Sequence, residues 1–209
     1  MMTGETRWWW VRHAPVAWAG VRIYGHTDLD CDVSDRAAFI GLAAGLPPGA
    51  VTVRSHLTRT LRTAQAIGFE PAVVEPDLAE QGFGAWEGES WDGLRAAGDP
   101  HLEAFWRAPF TVAPPGGESF VQVVERVRAV VERLSVLHAR RDIVAVAHSG
   151  SIRAALAVAL DLSPEKAHAV AVDNLSLTRI DHGSAGWSVR AVNLPPRAAP
   201  AAALRPPPP

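Results

Sequence analysis

Short apolar runs, each closed by a polar or glycine-rich break, alternate along the chain with stretches of three- and four-residue periodicity. Arg7 to Val11 reads as a short, largely apolar strand, and the polar pair Arg12-His13 follows it directly. Ala14 to Val33 keeps neither period and contains Pro15, Gly20, Gly25 and several aspartates, which predicts a long functional loop. A helix is expected from about Ser34 to Ala44, capped by Ser34 or Asp35 and closed by Gly45-Leu46-Pro47-Pro48-Gly49. The next unit repeats this design. Val51-Thr52-Val53 is a β-branched strand, and Arg54-Ser55-His56 turns into a helix through about Ile67. Pro71 to Val74 is a third short strand candidate, and Asp77 to Gly88 is loop-like. Trp91 to Trp106 reads as a partly helical, aromatic-rich insertion broken at Gly98-Asp99-Pro100, before a Pro/Gly loop that ends at Gly117.

The clearest helix runs from about Glu118 to Leu137. Phe120, Val123, Val124, Val127, Val130, Val131 and Leu134 recur at helical steps and form one apolar face. The strand Asp142 to Ala147 ends at His148-Ser149-Gly150, and a second clear helix spans Ser151 to Leu160. Ala169 to Val172 and Leu175 to Ile180 suggest further strands, with Trp187 to Val192 as the last. Strands alternating with helices predict an α/β three-layer sandwich with a mostly parallel central sheet flanked by helices. Residues 1–193 read as one domain with the insertion at about 89–117. The Pro- and Ala-rich tail 194–209 is expected to build neither sheet nor a good helix.

Composition narrows this picture. A length of 209 residues supports one good-sized core. A formal net charge of -2 gives no broad basic surface, so neither nucleic acid nor an anionic membrane is expected as a partner. The single cysteine, Cys31, rules out an internal disulfide, and there is no Cys cluster for zinc. The start is too polar for a secretory signal, and no apolar stretch reaches transmembrane length, which makes the cytoplasm the default location. Monomer and homodimer both stay open. Eight tryptophans against one tyrosine point either to a pocket or partner wall or to partly buried core.

The candidate chemistry lies at strand ends. Arg12 and His13 follow the first strand, Ser55 and Arg59 follow the second, and His148 follows Asp142 to Ala147. In open α/β sheets ligands bind outside the carboxyl ends of the strands, where helix N-termini add N–H donors suited to an anion. Guanidinium groups bond phosphate oxygens in pairs, and a neutral imidazole can attack phosphorus. Two arginines and two histidines at one sheet edge describe a phosphate pocket. Each alone reads equally as an ordinary loop, core or helix-surface residue.

Taken in order, these motifs resemble the histidine phosphatase superfamily, the phosphoglycerate mutase-like group. The resemblance covers about Arg7 to Val192 and rests on Arg12-His13, RSHLTRTLRTA (Arg54 to Ala64), LAEQGFGAWEG (Leu78 to Gly88), PGGES (Pro115 to Ser119) and AHSG (Ala147 to Gly150). It implies that His13 is the nucleophile that becomes phosphohistidine. Arg12 and Arg59 would clamp the phosphoryl oxygens, His148 would complete the pocket, and Glu80 would protonate the leaving group. It implies neither cofactor nor metal, because arginine and imidazole supply the positive field. The substrate class is a small-molecule phosphate ester. The common Arg-His-Gly appears here as Arg12-His13-Ala14 and is followed by Pro15, which removes a backbone donor. His56 carries no assigned role.

The stretch VRIYGHTD (Val21 to Asp28) is similar to the alpha-ribazole phosphatase branch, which would make Tyr24, Gly25 and His26 substrate-binding residues, with Asp28 a further candidate. An ordinary turn held by Gly25 and an aspartate cap explains the same residues. Glu118 and Ser119 are either pocket residues or the first turn of the long helix. Trp86, Trp91 and Trp106 either wall a ring-bearing leaving group or pack the insertion. Two alternatives to the hydrolase stay open. One is a cofactor-dependent phosphoglycerate mutase, and the other is a phosphate-binding module without turnover, against which intact His13, Glu80 and His148 argue.

Overall fold

Period-two alternation along the first and fourth strands decides how the sheet is buried. In a computed structural model of the chain, residues 4–18, 20–70 and 72–197 are described. β1 (Thr6–Arg12) and β4 (Asp142–Ala147) pair in parallel at the middle of a six-stranded sheet that, with β2 (Val51–Arg54), β3 (Val73–Val74), β5 (Leu177–Gly183) and β6 (Gly186–Leu194), has the order β3-β2-β4-β1-β5-β6. Trp8, Trp10, Ile143 and Ala145 enter one core cluster, whereas Val11, Val144 and Val146 enter another. A strand whose successive side chains are buried on both faces must be covered on both, and helices do this. α5 (Phe120–Leu137) and α6 (Ser149–Leu160) cover the first face, and α1 (Arg36–Ala43) and α2 (Thr58–Ala66) the second.

β2 (Val51–Arg54) and β3 (Val73–Val74) extend the parallel part, and Pro71 lies outside the described residues. β5 (Leu177–Gly183) and β6 (Gly186–Leu194) close the other side as an antiparallel hairpin. The sheet is thus mixed but mostly parallel, with helices on both faces. Among the described residues no helix is long and apolar enough to cross a membrane.

Register sets the site. Arg12 stands opposite Ala147 in the β1–β4 pairing, so His13 and His148 leave the sheet side by side. The His13 N–H donates to the Ala147 carbonyl at 3.0 Å and extends the ladder by one step. β2 meets β4 with Arg54 opposite Val146, which brings Ser55 to the same edge.

Helix starts follow local chemistry. α5 begins at Phe120 because Ser119 and Gln122 form a reciprocal capping box, with bonds of 3.3 and 2.7 Å. α6 begins directly after His148, earlier than the expected Ser151. The Ser151 hydroxyl instead accepts the His148 N–H at 3.1 Å. Within the insertion, α3 (Trp91–Ala96) and α4 (Leu102–Arg107) pack Leu94, Leu102 and Phe105 on Trp86 and Ile23 as a satellite core.

Two expectations require correction. Ala169 to Val172 is not a strand. α7 (Pro164–His168) ends at Ala169, and the chain then runs irregularly to β5. Its carbonyls serve side chains rather than a ladder: Val170 accepts from Arg153 Nε at 2.8 Å and Val172 from Arg12 Nη1 at 2.7 Å. The second correction concerns Leu194, which ends β6 paired with Leu177 and so belongs to the sheet rather than the tail. The Arg197 backbone then lies against α1 at Gly41, where a β-carbon would collide with it. Residues 198–209 lie outside the described residues.

Candidate active site

His13 is fully buried, and its Nδ1 lies 2.7 Å from the carbonyl of Ala14. A carbonyl only accepts, so Nδ1 carries the proton and Nε2 carries the lone pair. Nε2 has no hydrogen-bond partner. Burial, reinforced by Arg59 and Arg12, pulls the imidazole pKa down to about 3 despite the Ala14 bond. The ring is therefore neutral over the physiological range and holds an uncommitted nitrogen. Asn174 fixes the His13 backbone from the other side, donating from Nδ2 to its carbonyl at 2.8 Å.

His148 faces His13 with ring centroids 5.1 Å apart and is equally buried. Its Nδ1 accepts from Arg59 Nε at 3.2 Å, which leaves the proton on Nε2, 2.7 Å from the Ser55 hydroxyl. Burial and then Arg59 push His148 well below the ordinary imidazole value. Ser55 also contacts Thr60 Oγ1 at 3.1 Å and accepts from the Leu57 N–H at 3.3 Å. It orients His148 from beneath rather than facing open space.

Arg59 has no exposed surface. Nη1 donates to the Thr27 carbonyl at 2.8 Å, Nη2 to the Gly25 carbonyl at 2.6 Å, and the guanidinium carbon lies 5.2 Å from the Tyr24 ring centroid. Gly25 sits at φ +25°, where a β-carbon would collide with Glu87 Oε1, so the loop reaches Arg59 only with glycine there. Arg12 donates from Nη1 to Val172, and its buried Nε has no partner. Two consecutive residues, Arg12 and His13, thus carry a donor and an acceptor without partners.

Glu80 docks on the start of α6. Oε1 accepts from the Gly150 N–H at 2.8 Å and from its neighbour Gln81 at 3.0 Å, and Oε2 accepts from the Ser149 hydroxyl at 3.0 Å. A β-carbon at Gly150 would meet Glu80 Oε1, so a larger residue there would push the carboxylate off this seat. A helix start is a favourable seat for a carboxylate.

The loop carrying Glu80 is clamped from behind. Arg126 Nη1 donates to the carbonyls of Asp77 and Ala79 at 2.5 and 2.9 Å, and Nη2 to that of Glu80 at 2.9 Å. Its Nε and Nη2 grip both Glu118 oxygens at 2.9 and 2.7 Å, and the Gly82 N–H donates to the same carboxylate at 2.9 Å. Burial opposes ionisation of Glu118, yet bonds from His26, Arg126 and Gly82 hold its pKa down to about 2. His26 Nε2 lies 2.8 Å from the Glu80 carbonyl and 3.4 Å from Glu118 Oε1. His56, exposed, meets His26 edge-on at 6.5 Å.

A cavity of about 310 Å³ opens beside Glu80, Ser149 and Gly150, with Tyr24 and Gly25 on its border. His26 does not line it, and Arg12, His13, Arg59 and His148 lie outside its lining. Trp91 lines it, whereas Trp86 is buried in the insertion and Trp106 is half exposed outside Trp91. Asp28 instead holds α2, accepting from the Thr58 N–H at 2.6 Å. Ser119 caps α5 and Glu118 braces the Glu80 loop.

Sequence reasoning missed Arg126, Asn174, Glu87 and Arg153. Glu87 closes the 25–28 loop, accepting from the N–H groups of His26 and Thr27 at 2.8 and 2.6 Å. It lay within the quoted GAWEG motif, which was the available signal. Arg126 and Asn174 reach the site from distant segments that no short-range pattern links to it.

A family model described as histidine phosphatase superfamily (branch 1) matches residues 8–195. The chain belongs to that superfamily. Relatives point the same way. A bifunctional protein of Mycobacterium tuberculosis, Rv2228c, is 33% identical over 166 residues, covering 77% of this chain and 44% of its own length. The chain thus spans under half of that relative. A glucosyl-3-phosphoglycerate phosphatase of Mycolicibacterium vanbaalenii is 32% identical over 165 residues, 73% of each chain. A 2,3-bisphosphoglycerate-dependent phosphoglycerate mutase of Azorhizobium caulinodans is 35% identical over 170 residues, covering 74% of this chain and 82% of the mutase. Among solved structures, a putative alpha-ribazole-5'-P phosphatase of Escherichia coli superposes with a TM-score of 0.81 at 23% identity, covering 90% and 96% of the two chains. At that identity the superposition establishes the shared fold. The register of β1, β2 and β4 gathers Arg12, His13, Ser55 and His148 at one edge of the sheet.

Proposed function

We propose that the chain hydrolyses small phosphate monoesters through a phosphohistidine on His13, without a metal. The observation that carries this is the His13 ring: protonated at Nδ1 toward Ala14, neutral, and bare at a buried Nε2. In the first step Nε2 bonds to phosphorus as the ester P–O bond breaks, and Glu80 in its acid form gives its proton to the departing oxygen. Arg12 and Arg59 hold the equatorial oxygens, and His148, fixed by Ser55, shapes the pocket from the other side. In the second step Glu80, now a carboxylate, takes a proton from water. The water oxygen bonds to phosphorus and the P–Nε2 bond breaks, releasing phosphate and restoring both groups.

The Tyr24-Gly25-His26 stretch supports alpha-ribazole phosphate as the substrate within this class, with Tyr24 and Gly25 beside the cavity and His26 bracing Glu80. The mutase relative favours a second reading, in which the phosphoryl group returns to a bound acceptor. A panel of phosphate esters assayed in metal chelator, with and without monophosphoglycerate, separates the two. Release of phosphate from several esters supports the hydrolase, and transfer with little release supports the mutase. His13→Ala is expected to abolish turnover and acid-labile phosphorylation of the protein. Normal turnover in that variant would refute the mechanism.

A further inference from the structure

The cavity beside Glu80 contains a cation that the phosphoryl chemistry leaves unused. Arg153 lies on α6 four residues after Ser149, so both side chains share one helix face about one turn, or ~5.4 Å, apart. Its Nε donates to the Val170 carbonyl at 2.8 Å, which fixes the plane of the guanidinium. That is its sole side-chain hydrogen bond among the described residues, where it also makes no ion pair. Nη1 and Nη2 are therefore uncommitted on a partly buried group that borders a cavity. Much of the remaining lining is apolar: Val21, Ile23, Phe83, Trp91 and Phe120 contribute to it. Trp91 is held rigidly there, stacked on Phe105 at 5.7 Å and edge-on to Phe83 at 6.0 Å.

We propose that this cavity receives the leaving group of the ester, and that Arg153 recognises a carboxylate carried on an apolar, ring-sized body of that group. The proposal rests on the phosphatase reading alone, with the phosphoryl group at His13 and the departing oxygen near Glu80, and it sets a carboxylate-bearing leaving group in place of alpha-ribazole, which carries no carboxylate. A carboxylate suits the site better than a second phosphate. Arg153 offers one charge and a planar fork, which matches a planar monoanion in a bidentate geometry. Of the other basic groups on the cavity, His168 is wedged against Phe110 and Phe120 at 5.2 and 5.6 Å. Burial and the Arg153 charge lower its pKa, so it adds no second positive charge at neutral pH. Arg22 also borders the cavity, but it is exposed, donates to the Gly88 carbonyl and lies over Trp18.

Three esters test this: phenyl phosphate, 4-carboxyphenyl phosphate and 4-carbamoylphenyl phosphate. The para carboxylate lies about one helical turn from the phenolic oxygen, comparable to the rise along α6 from Ser149, which holds Glu80, to Arg153. The carbamoyl ester has the better leaving group, so intrinsic reactivity works against the expected result. Wild-type protein is expected to favour the carboxylate over the carbamoyl ester in kcat/KM by about ten- to a hundredfold, the range of a charge-assisted bond. In Arg153→Gln that ratio is expected to fall to near one. An unchanged ratio in the variant would overturn the inference, as would a wild type with no carboxylate preference. Calorimetry on the wild type decides independently of whether the variant folds. 4-Hydroxybenzoate must bind more tightly than 4-hydroxybenzamide, and equal or weaker binding overturns the proposal. Hydrolysis of phenyl phosphate without carboxylate preference leaves the phosphatase reading standing alone. If none of the three esters releases phosphate, the phosphatase reading fails for aryl esters and the calorimetry alone decides the carboxylate site.

Discussion

Replacing Glu118 by Gln removes the charge at the centre of the clamp behind Glu80 while keeping the shape of the side chain. Glu118 is 18% exposed, accepts two bonds from Arg126 and one from Gly82, and faces His26. Its pKa lies at about 2 against 4.5 for the free side chain. At 1.36 kcal/mol for each pKa step, that gap corresponds to about 3 kcal/mol of stability at neutral pH. For a chain of this size the loss lowers the melting temperature by about 6–12 °C. The sign of the pH dependence follows from the depressed value. The contribution is fully present above 4.5 and is lost as pH falls toward 2, the folded-state value.

Urea unfolding of wild type and Glu118→Gln between pH 3 and pH 7 measures this directly. The stability gap should shrink to less than half of its neutral value by about pH 3, because the unfolded wild-type chain then binds a proton at this carboxyl that the folded chain does not. A gap of constant size across that range would mean that charge is not what Glu118 contributes, and would refute the reasoning. The variant also loosens the loop that carries Glu80, since Arg126 binds the carbonyls of Asp77, Ala79 and Glu80 as well. kcat should fall about ten- to a hundredfold with a smaller change in KM, because misplacing a proton donor by about 1 Å affects the transition state most.

Three other substitutions or titrations probe the remaining contacts. Gly150→Ala places a methyl group against Glu80 Oε1. It should reduce kcat by about a hundredfold while leaving the melting curve almost unmoved, and normal kcat would show that Glu80 need not dock on α6. Ser55→Ala strands the buried His148 Nε2 proton and should cost about 1–3 kcal/mol in urea unfolding, with loss of activity. His26 should titrate above 6.5 by proton NMR, because Glu118 stabilises its charged form first and foremost. Its contribution to stability is present below the ordinary imidazole value and lost as pH rises through the raised one. In Glu118→Gln the His26 midpoint should drop, and an unmoved midpoint would count against the contact.

The parts of the fold that were legible in the sequence are those whose residues answer to their own neighbours. DIVAVA became β4 with the expected ends, and the apolar face from Phe120 to Leu134 became α5. The helix Pro164–His168 was legible but overlooked: Ser163, Pro164 and Glu165 are a helix-start sequence. Ala169 to Val172 was not legible. Its apolar composition fits a strand, yet Arg12 and Arg153 claim its carbonyls, and both lie far away in the chain. The site divides in the same way. Arg12, His13, Arg59, Glu80 and His148 sit in short motifs at element ends. Arg126, by contrast, lies on the flank of a long helix and acts through folded-state bonds to the 77–82 loop and to Glu118. Arg153 follows His148 by five residues, and its significance depends on a cavity wall built from other segments.

The arrangement of donors argues that the proposed phosphoryl site is preorganised rather than assembled around its ligand. A buried polar atom without a partner costs about 1–3 kcal/mol, and such atoms are rare in folded chains. Among the described residues the side-chain atoms in this state are Trp10 Nε1, Arg12 Nε, His13 Nε2 and Ser176 Oγ. Two of these four lie on consecutive residues at the end of one strand, and they are the donor and the lone pair that a phosphoryl group requires. Arg59 shows the complementary economy. Nε is spent on His148, and Nη1 and Nη2 each spend one N–H on a loop carbonyl, so the plane of the guanidinium is fixed while one N–H on each Nη remains. A guanidinium held in this way needs no reorganisation when charge develops on phosphorus-bound oxygens, which is where such donors contribute most. The irregular backbone at 25–27 and 170–172 thus orients Arg59, Arg153 and Arg12 through its carbonyls, and in the proposed mechanism the remaining donors of Arg59 and Arg12 serve the phosphoryl group.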